Sequence, residues 1–194
     1  MFICQKMEPI NAMALLLVEI AVMPERKKVD NETAVTCLFD YAVDRDDLQL
    51  ILEGIPEDES IKRGTVEYEM RILRIVAVGW GVSFFMPESR EKTRLAEGYW
   101  HRVAEFSGQI STVSSTMSGN DIDYFQVIRQ RLDQYLAVLN HYQDAGDPAI
   151  VIGPTIAKMC GSEDNPYLII SGKKMFHIVL SGVKHYLDAI ELIP

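Results

Sequence analysis

The chain has 194 residues, of which 48% are hydrophobic and 24% charged, values that suit one ordinary globular domain with a core of its own. Its net charge of −9 is the wrong sign for a general binder of nucleic-acid phosphates or anionic membrane surfaces. Cys4, Cys37 and Cys160 are odd in number and far apart, with no C-x-x-C pair. That spacing suits a reducing, cytoplasmic setting and excludes a disulfide framework or a thiolate zinc site.

Ala12–Met23 is an apolar run of a dozen residues interrupted by Glu19. It is too short to span a bilayer, which takes about 20 apolar residues, and too charged for a secretory signal, so it reads as buried core, helical or stranded. The stretch 24–31, with Pro24 and Lys27-Lys28, reads as a linker. Ala34, Cys37, Leu38, Tyr41 and Ala42 predict a helix capped by Asp30 or Asn31, with Leu48–Leu52 continuing it after a break around Asp44–Asp47.

Residues 40–69 hold ten acids and three bases, so most of the net charge sits in under a sixth of the chain. Asp40, Asp44, Asp46, Asp47, Glu53, Glu57, Asp58 and Glu59 form the denser part of that run. Such a run is either a solvated face or a docking surface that steers a basic partner into place.

Residues 59–86 fit two templates. As a helix, Tyr68, Ile72, Ile75, Gly79, Val82 and Met86 form a stripe spaced 4, 3, 4, 3, 4, and Glu67 pairs with Arg71. As strands, Val66, Tyr68, Met70 and Ile72 alternate with charged residues. No turn signal divides the segment and one strand of that length is too long, so helix is the expectation. Arg74 and Glu19 interrupt apolar surroundings, where an unpaired charge is costly. Either each reaches solvent along its stem, or Arg74 meets Glu67, Glu69 or Glu19 and, with Trp80 and Tyr68, lines a polar pocket for a small ligand. Gly79-Trp80-Gly81 lacks the Lys-Ser/Thr of a phosphate loop and reads as tight packing.

Residues 88–117 predict a further helix, with Pro87 in its first turn, a stripe from Leu95 through Tyr99, Val103, Phe106 and Ile110 to Val113, a bend at Ser107-Gly108 and a frayed Ser/Thr-rich end over Ser111–Gly119. The next helix, about 121–145, carries Phe125, Ile128, Leu132, Leu136 and Leu139, with Asn120 as its cap. Ile150–Met159 predicts a short crossing helix. Asn165-Pro166 opens a last helix that runs nearly to the C-terminus, with Gly172 and Gly182 on one seam where a neighbouring helix, or a second copy of the chain, approaches closely.

Residue patterns that carry chemistry are sparse. Glu97, His101 and Glu105 share a helical face but lie off the apolar stripe, and His177 and His185 stand two turns apart, about 12 Å by helical rise. Ser171-Gly172-Lys173-Lys174 lies inside a helix rather than at a strand-to-helix turn, so it does not fit a phosphate site. No nucleophile elbow and no cofactor motif occurs. The expectation is therefore an all-α protein, a bundle of four long helices with additional N-terminal helices (1–57 covering 58–194 in one domain), the alternative being an α+β fold with a small N-terminal sheet. The expected function is a non-enzymatic acidic interaction protein, resembling an inhibitor or immunity protein in mode of action, that takes a basic protein partner through the residues of 40–59 and uses no cofactor or metal. The alternatives are a small-ligand binder or enzyme with a pocket near Glu69, Arg74 and Trp80, and a homodimer through the last helix.

Overall fold

The computed structural model describes residues 26–57, 61–118, 122–141 and 147–193. It is predominantly α-helical. Among the described residues the order is β1 (Lys27–Asp30), α1 (Asn31–Val43), α2 (Asp46–Glu53), α3 (Arg63–Phe85), α4 (Arg90–Ser118), α5 (Tyr124–His141), α6 (Ala149–Met159), α7 (Pro166–Ala189) and β2 (Ile190–Ile193). The apolar run at 12–23 and its Glu19 lie outside the described residues. None of the described helices is long and apolar enough to cross a membrane.

The centre is α3. Thirteen of its residues are buried, including every position from Ile72 to Gly79. Eight consecutive buried positions span more than two helical turns, so no face of this segment meets water, and an all-round apolar sequence is what that placement requires. Around it pack α1, α2, α4, α5, α6 and α7. The strand-like alternation at 66–72 falls on a helix all the same: Val66, Glu69, Met70 and Ile72 are buried, and Glu67 and Arg71 pair on a partly exposed face.

The ends of the helices follow local chemistry. Asp30 accepts from the Thr33 amide at 2.8 Å and its hydroxyl at 2.9 Å, which opens α1 and holds the Asp30 carboxyl below its usual range. Ser89 caps α4, accepting from the Lys92 amide at 3.1 Å, so Pro87 precedes the helix and is not in its first turn. Asp123 caps α5 through the Gln126 amide at 3.0 Å, whereas Asn120 and Asp121 lie outside the described residues. Asn165 accepts from the amides of Tyr167 and Leu168 to open α7, with Pro166 in the first turn.

Two expectations are corrected. The Ser/Thr-rich end of α4 does not fray before Ser118: the hydroxyls of Ser107, Ser111, Thr112 and Thr116 each donate to the carbonyl four residues back, so their hydrogen bonds are made within a helix that continues to Ser118. The supposed linker over 24–31 contains β1, which pairs in parallel with β2, Val29 opposite Leu192. Residues from opposite ends of the described chain thus meet, and β-branched Val29 and Ile190 are buried beneath the pair.

The glycines mark close crossings. A Cβ on Gly153 would stand 2.5 Å from the Ile169 carbonyl oxygen, and one on Gly172 would stand 3.0 Å from Ile156, so these glycines let α6 and α7 touch. At Gly182 a Cβ would collide with the Tyr41 ring and hydroxyl. Gly172 and Gly182 therefore do not share one seam: the first is met by α6 and the second by α1, both within the protomer. Gly108, by contrast, faces nothing within 4 Å. Gly153→Ala is expected to lower stability, because the overpacking cost of about 1–3 kcal/mol outweighs the roughly 1 kcal/mol gain in helix propensity, whereas Gly108→Ala raises it by up to about 1 kcal/mol. Urea unfolding of the two variants checks the opposite signs.

Candidate functional site

Two charged residues are buried in α3, and each organises a different surface. Glu69 is 3% exposed and Arg74 is 1% exposed. Five residues of helix place their side chains well apart around the axis. They do not pair with each other.

Arg74 points at the elbow between α1 and α2. Its Nη2 donates to the Tyr41 carbonyl oxygen at 2.6 Å, its Nη1 lies 3.7 Å from the Asp47 carboxylate, and the guanidinium sits 5.3 Å from the centre of the Tyr41 ring. The last carbonyls of a helix have no intrahelical donor and carry the negative end of its dipole. Arg74 fills that need for α1 while meeting an acid in the first turn of α2, so one buried cation fixes the angle between the two helices. A second cation closes the elbow's far end, where Arg63 donates to the Leu52 carbonyl at 2.9 Å.

The outer side of this elbow carries the acidic run. Asp40, Asp44, Asp46, Glu53 and Glu57 are exposed, while Asp47 is half-buried against Arg74. Leu50 lies among them, 68% exposed. Its position one turn from both Asp46 and Glu53 puts an apolar side chain in the middle of a carboxylate face. Asp58 and Glu59 lie outside the described residues.

Glu69 faces α5. Its two carboxylate oxygens accept from Arg131, from Nη2 at 2.6 Å and from Nε at 2.7 Å, a fork that fixes both planes. The same hydrogen bond raises the Arg131 pKa. Around the fork lie Tyr68, Tyr135 and Cys160. Burial pushes the Cys160 thiol up to about 12, with Glu69 adding to the effect, so it is a poor nucleophile. Nothing in the sequence of α5 singled out Arg131. The only available signal was its place three residues after Ile128 and four before Tyr135, two core positions, which puts a cation at the edge of the apolar stripe.

Trp80 is about 16 Å along the helix from Glu69. It stacks on Phe84 at 4.6 Å and tilts against Phe176. Glu69, Arg74 and Trp80 therefore face three different neighbours, and they do not line one cavity. Arg71 pairs with Glu67 as the sequence predicts. His101 lies 3.4 Å from Glu105 and His177 lies 3.3 Å from Asp147, both pairs on the surface. Among the described residues no group of three or more acid, histidine or cysteine side chains is placed to hold a metal ion.

A groove that the sequence reading did not foresee runs between α5 and α6. Its volume is about 900 Å³, and Arg131, Gln134, Val138, Val151, Pro154 and Lys158 contribute to its walls. A smaller cleft of about 420 Å³ opens beside Tyr68, Arg71 and Tyr124.

Breaking the fork should be costly. Arg131→Met leaves a buried carboxylate unpaired and is expected to lose about 3–5 kcal/mol in urea unfolding, while the double variant Glu69→Leu/Arg131→Met recovers most of that loss. The buried phenols predict an alkaline limit as well. Burial raises the pKa of Tyr99 and Tyr135 well above the ordinary 10.0 and that of Tyr124 to about 12. A raised folded-state value means that the stabilisation is complete below pH 10 and is lost as pH climbs towards 12. Stability measured by urea titration at stepped pH should thus be flat between pH 8 and 9.5, as far as these groups decide it, and fall steeply above 10.

No protein-family model matches the chain, and neither a curated protein nor a solved structure matches it.

Proposed function

We propose that this protein is a non-enzymatic interaction protein that docks a basic protein partner on the α1–α2 elbow, acting as an inhibitor or immunity protein does. The observation that carries the reading is the elbow itself: exposed Asp40, Asp46 and Glu53 on two helices held by buried Arg74, exposed Asp44 and Glu57 at the bend and just beyond, and an exposed Leu50 one turn from Asp46 and Glu53. Carboxylates on a rigid platform attract a basic surface over roughly a Debye length, about 8–10 Å in physiological salt, and raise the encounter rate. A central apolar side chain then supplies the desolvated contact that charges alone lack. Cys37 and Cys160 are free thiols, which supports a reducing, cytoplasmic setting.

The reading is tested by reversing charges that do not touch Arg74. Protein captured from native lysate at low salt is identified by mass spectrometry, and its association with purified chain is timed. Asp40→Lys, Asp44→Lys and Glu53→Lys combined should slow association by about tenfold or more and abolish its salt dependence, and Leu50→Ala should speed dissociation. An unchanged association rate in the triple variant, with helix content retained, would refute the elbow as the docking face.

A further inference from the structure

We propose that the groove between α5 and α6 is a binding site for a small amphiphile with an aliphatic body and a carboxylate head, a second site separate from the acidic elbow. Its volume of about 900 Å³ falls within the roughly 300–1,000 Å³ typical of small-molecule sites.

The groove is graded along its length. Arg131 and Lys158 stand at one end, with Glu163 beside them, and Val138, Ile150 and Val151 stand at the other. Proximity of Arg131 to Cys160, the C-cap residue of α6, places the charged residues of both helices at the same end. The distance from Arg131 to Val138 is about 10 Å by helical rise, the reach of a medium-length alkyl chain. Ile150, at the apolar end, is 53% exposed. Pro154, in the middle of the α6 wall, has no amide hydrogen and presents only its ring.

The charged end favours an anion over a cation. Glu69 holds the inner edge of Arg131 from beneath, and among the described residues the remaining Nη1 reaches Gln134, at 3.4 Å. Lys158 lies 3.7 Å from Glu163, an exposed pair that solvent screens and a ligand displaces at small cost. The end holds two cations and two carboxylates, but Glu69 is buried with both oxygens taken by Arg131, so the head of a bound ligand reaches two cations and one exposed carboxylate, Glu163. Glu69 sets the guanidinium plane before any ligand arrives, so a carboxylate head finds a donor already fixed in place. A free fatty acid and a lysophospholipid share an aliphatic body and an anionic oxygen head, a carboxylate in the first and a phosphate in the second.

The experiment uses the full chain and three probes of equal length, decanoate, decanol and decylammonium, followed by calorimetry and by methyl chemical shifts. Decanoate is expected to bind saturably with a Kd below about 1 mM and at least about tenfold more tightly than decylammonium. Ala137→Trp, an exposed wall position, should weaken decanoate about tenfold or more by filling the groove, and Lys158→Glu should erase the preference for the anion. Circular dichroism confirms that both variants fold. A free acid as the natural ligand predicts that lysophospholipid competes poorly with decanoate, and an acyl lipid predicts strong competition. Equal binding of decanoate and decylammonium, decanoate binding untouched by Ala137→Trp, or no saturable binding of any probe would overturn the proposal.

Discussion

The structure depends on one constraint: the middle of α3, Ile72–Gly79, has no face left for water. A helix in that position needs apolar side chains all round, and it needs small ones where neighbours cross. Both demands show in its sequence. Trp100 lies so close to Gly79 that a Cβ there would stand 2.5 Å from its ring, and Tyr99 donates to the Ile75 carbonyl at 2.7 Å in the same region. The α4 helix is thereby pinned to α3 by a ring against a backbone and by a hydroxyl against a carbonyl.

Within such a helix a charge persists only if it is paired. Glu69 and Arg74 are paired outward, in different directions, with Arg131 of α5 and with the α1–α2 elbow. Each pairing sets the orientation of an element that carries a surface. The Glu69 fork fixes the side of α5 that forms the groove, and Arg74 fixes the angle at which the acidic helices meet. Buried charges add little net stability over a well-packed apolar core, and the orientation they impose is the better account of their presence here. The two candidate binding surfaces are thus consequences of the same central helix.

Much of this architecture was legible in the sequence. The capping residues Asp30 and Asn165, the proline after Asn165, and the period of 3.6 in α4, α5 and α7 located those helices within a few residues. The terminal strands were not legible. Lys27–Asp30 and Ile190–Ile193 are four residues each, and short segments become strands only through pairing across nearly the whole chain, which no local signal reports. The acidic run was legible as charge but not as shape, since the elbow is made by Arg74, some thirty residues further on. The groove left no trace for a similar reason. Val138, Val151 and Pro154 look alike in sequence whether two helices close over them or leave them open.

Native-state hydrogen exchange tests the central role of α3 most directly. If every other element is hung on it, the amides of Ile72–Val78 exchange only through global unfolding, with a free energy equal to that from urea denaturation. Amides near Thr112–Thr116 of α4 and in α2 would open at lower cost. The account is contradicted if α3 amides exchange through a partial opening while α5, α7 or the α1–α2 elbow remains protected.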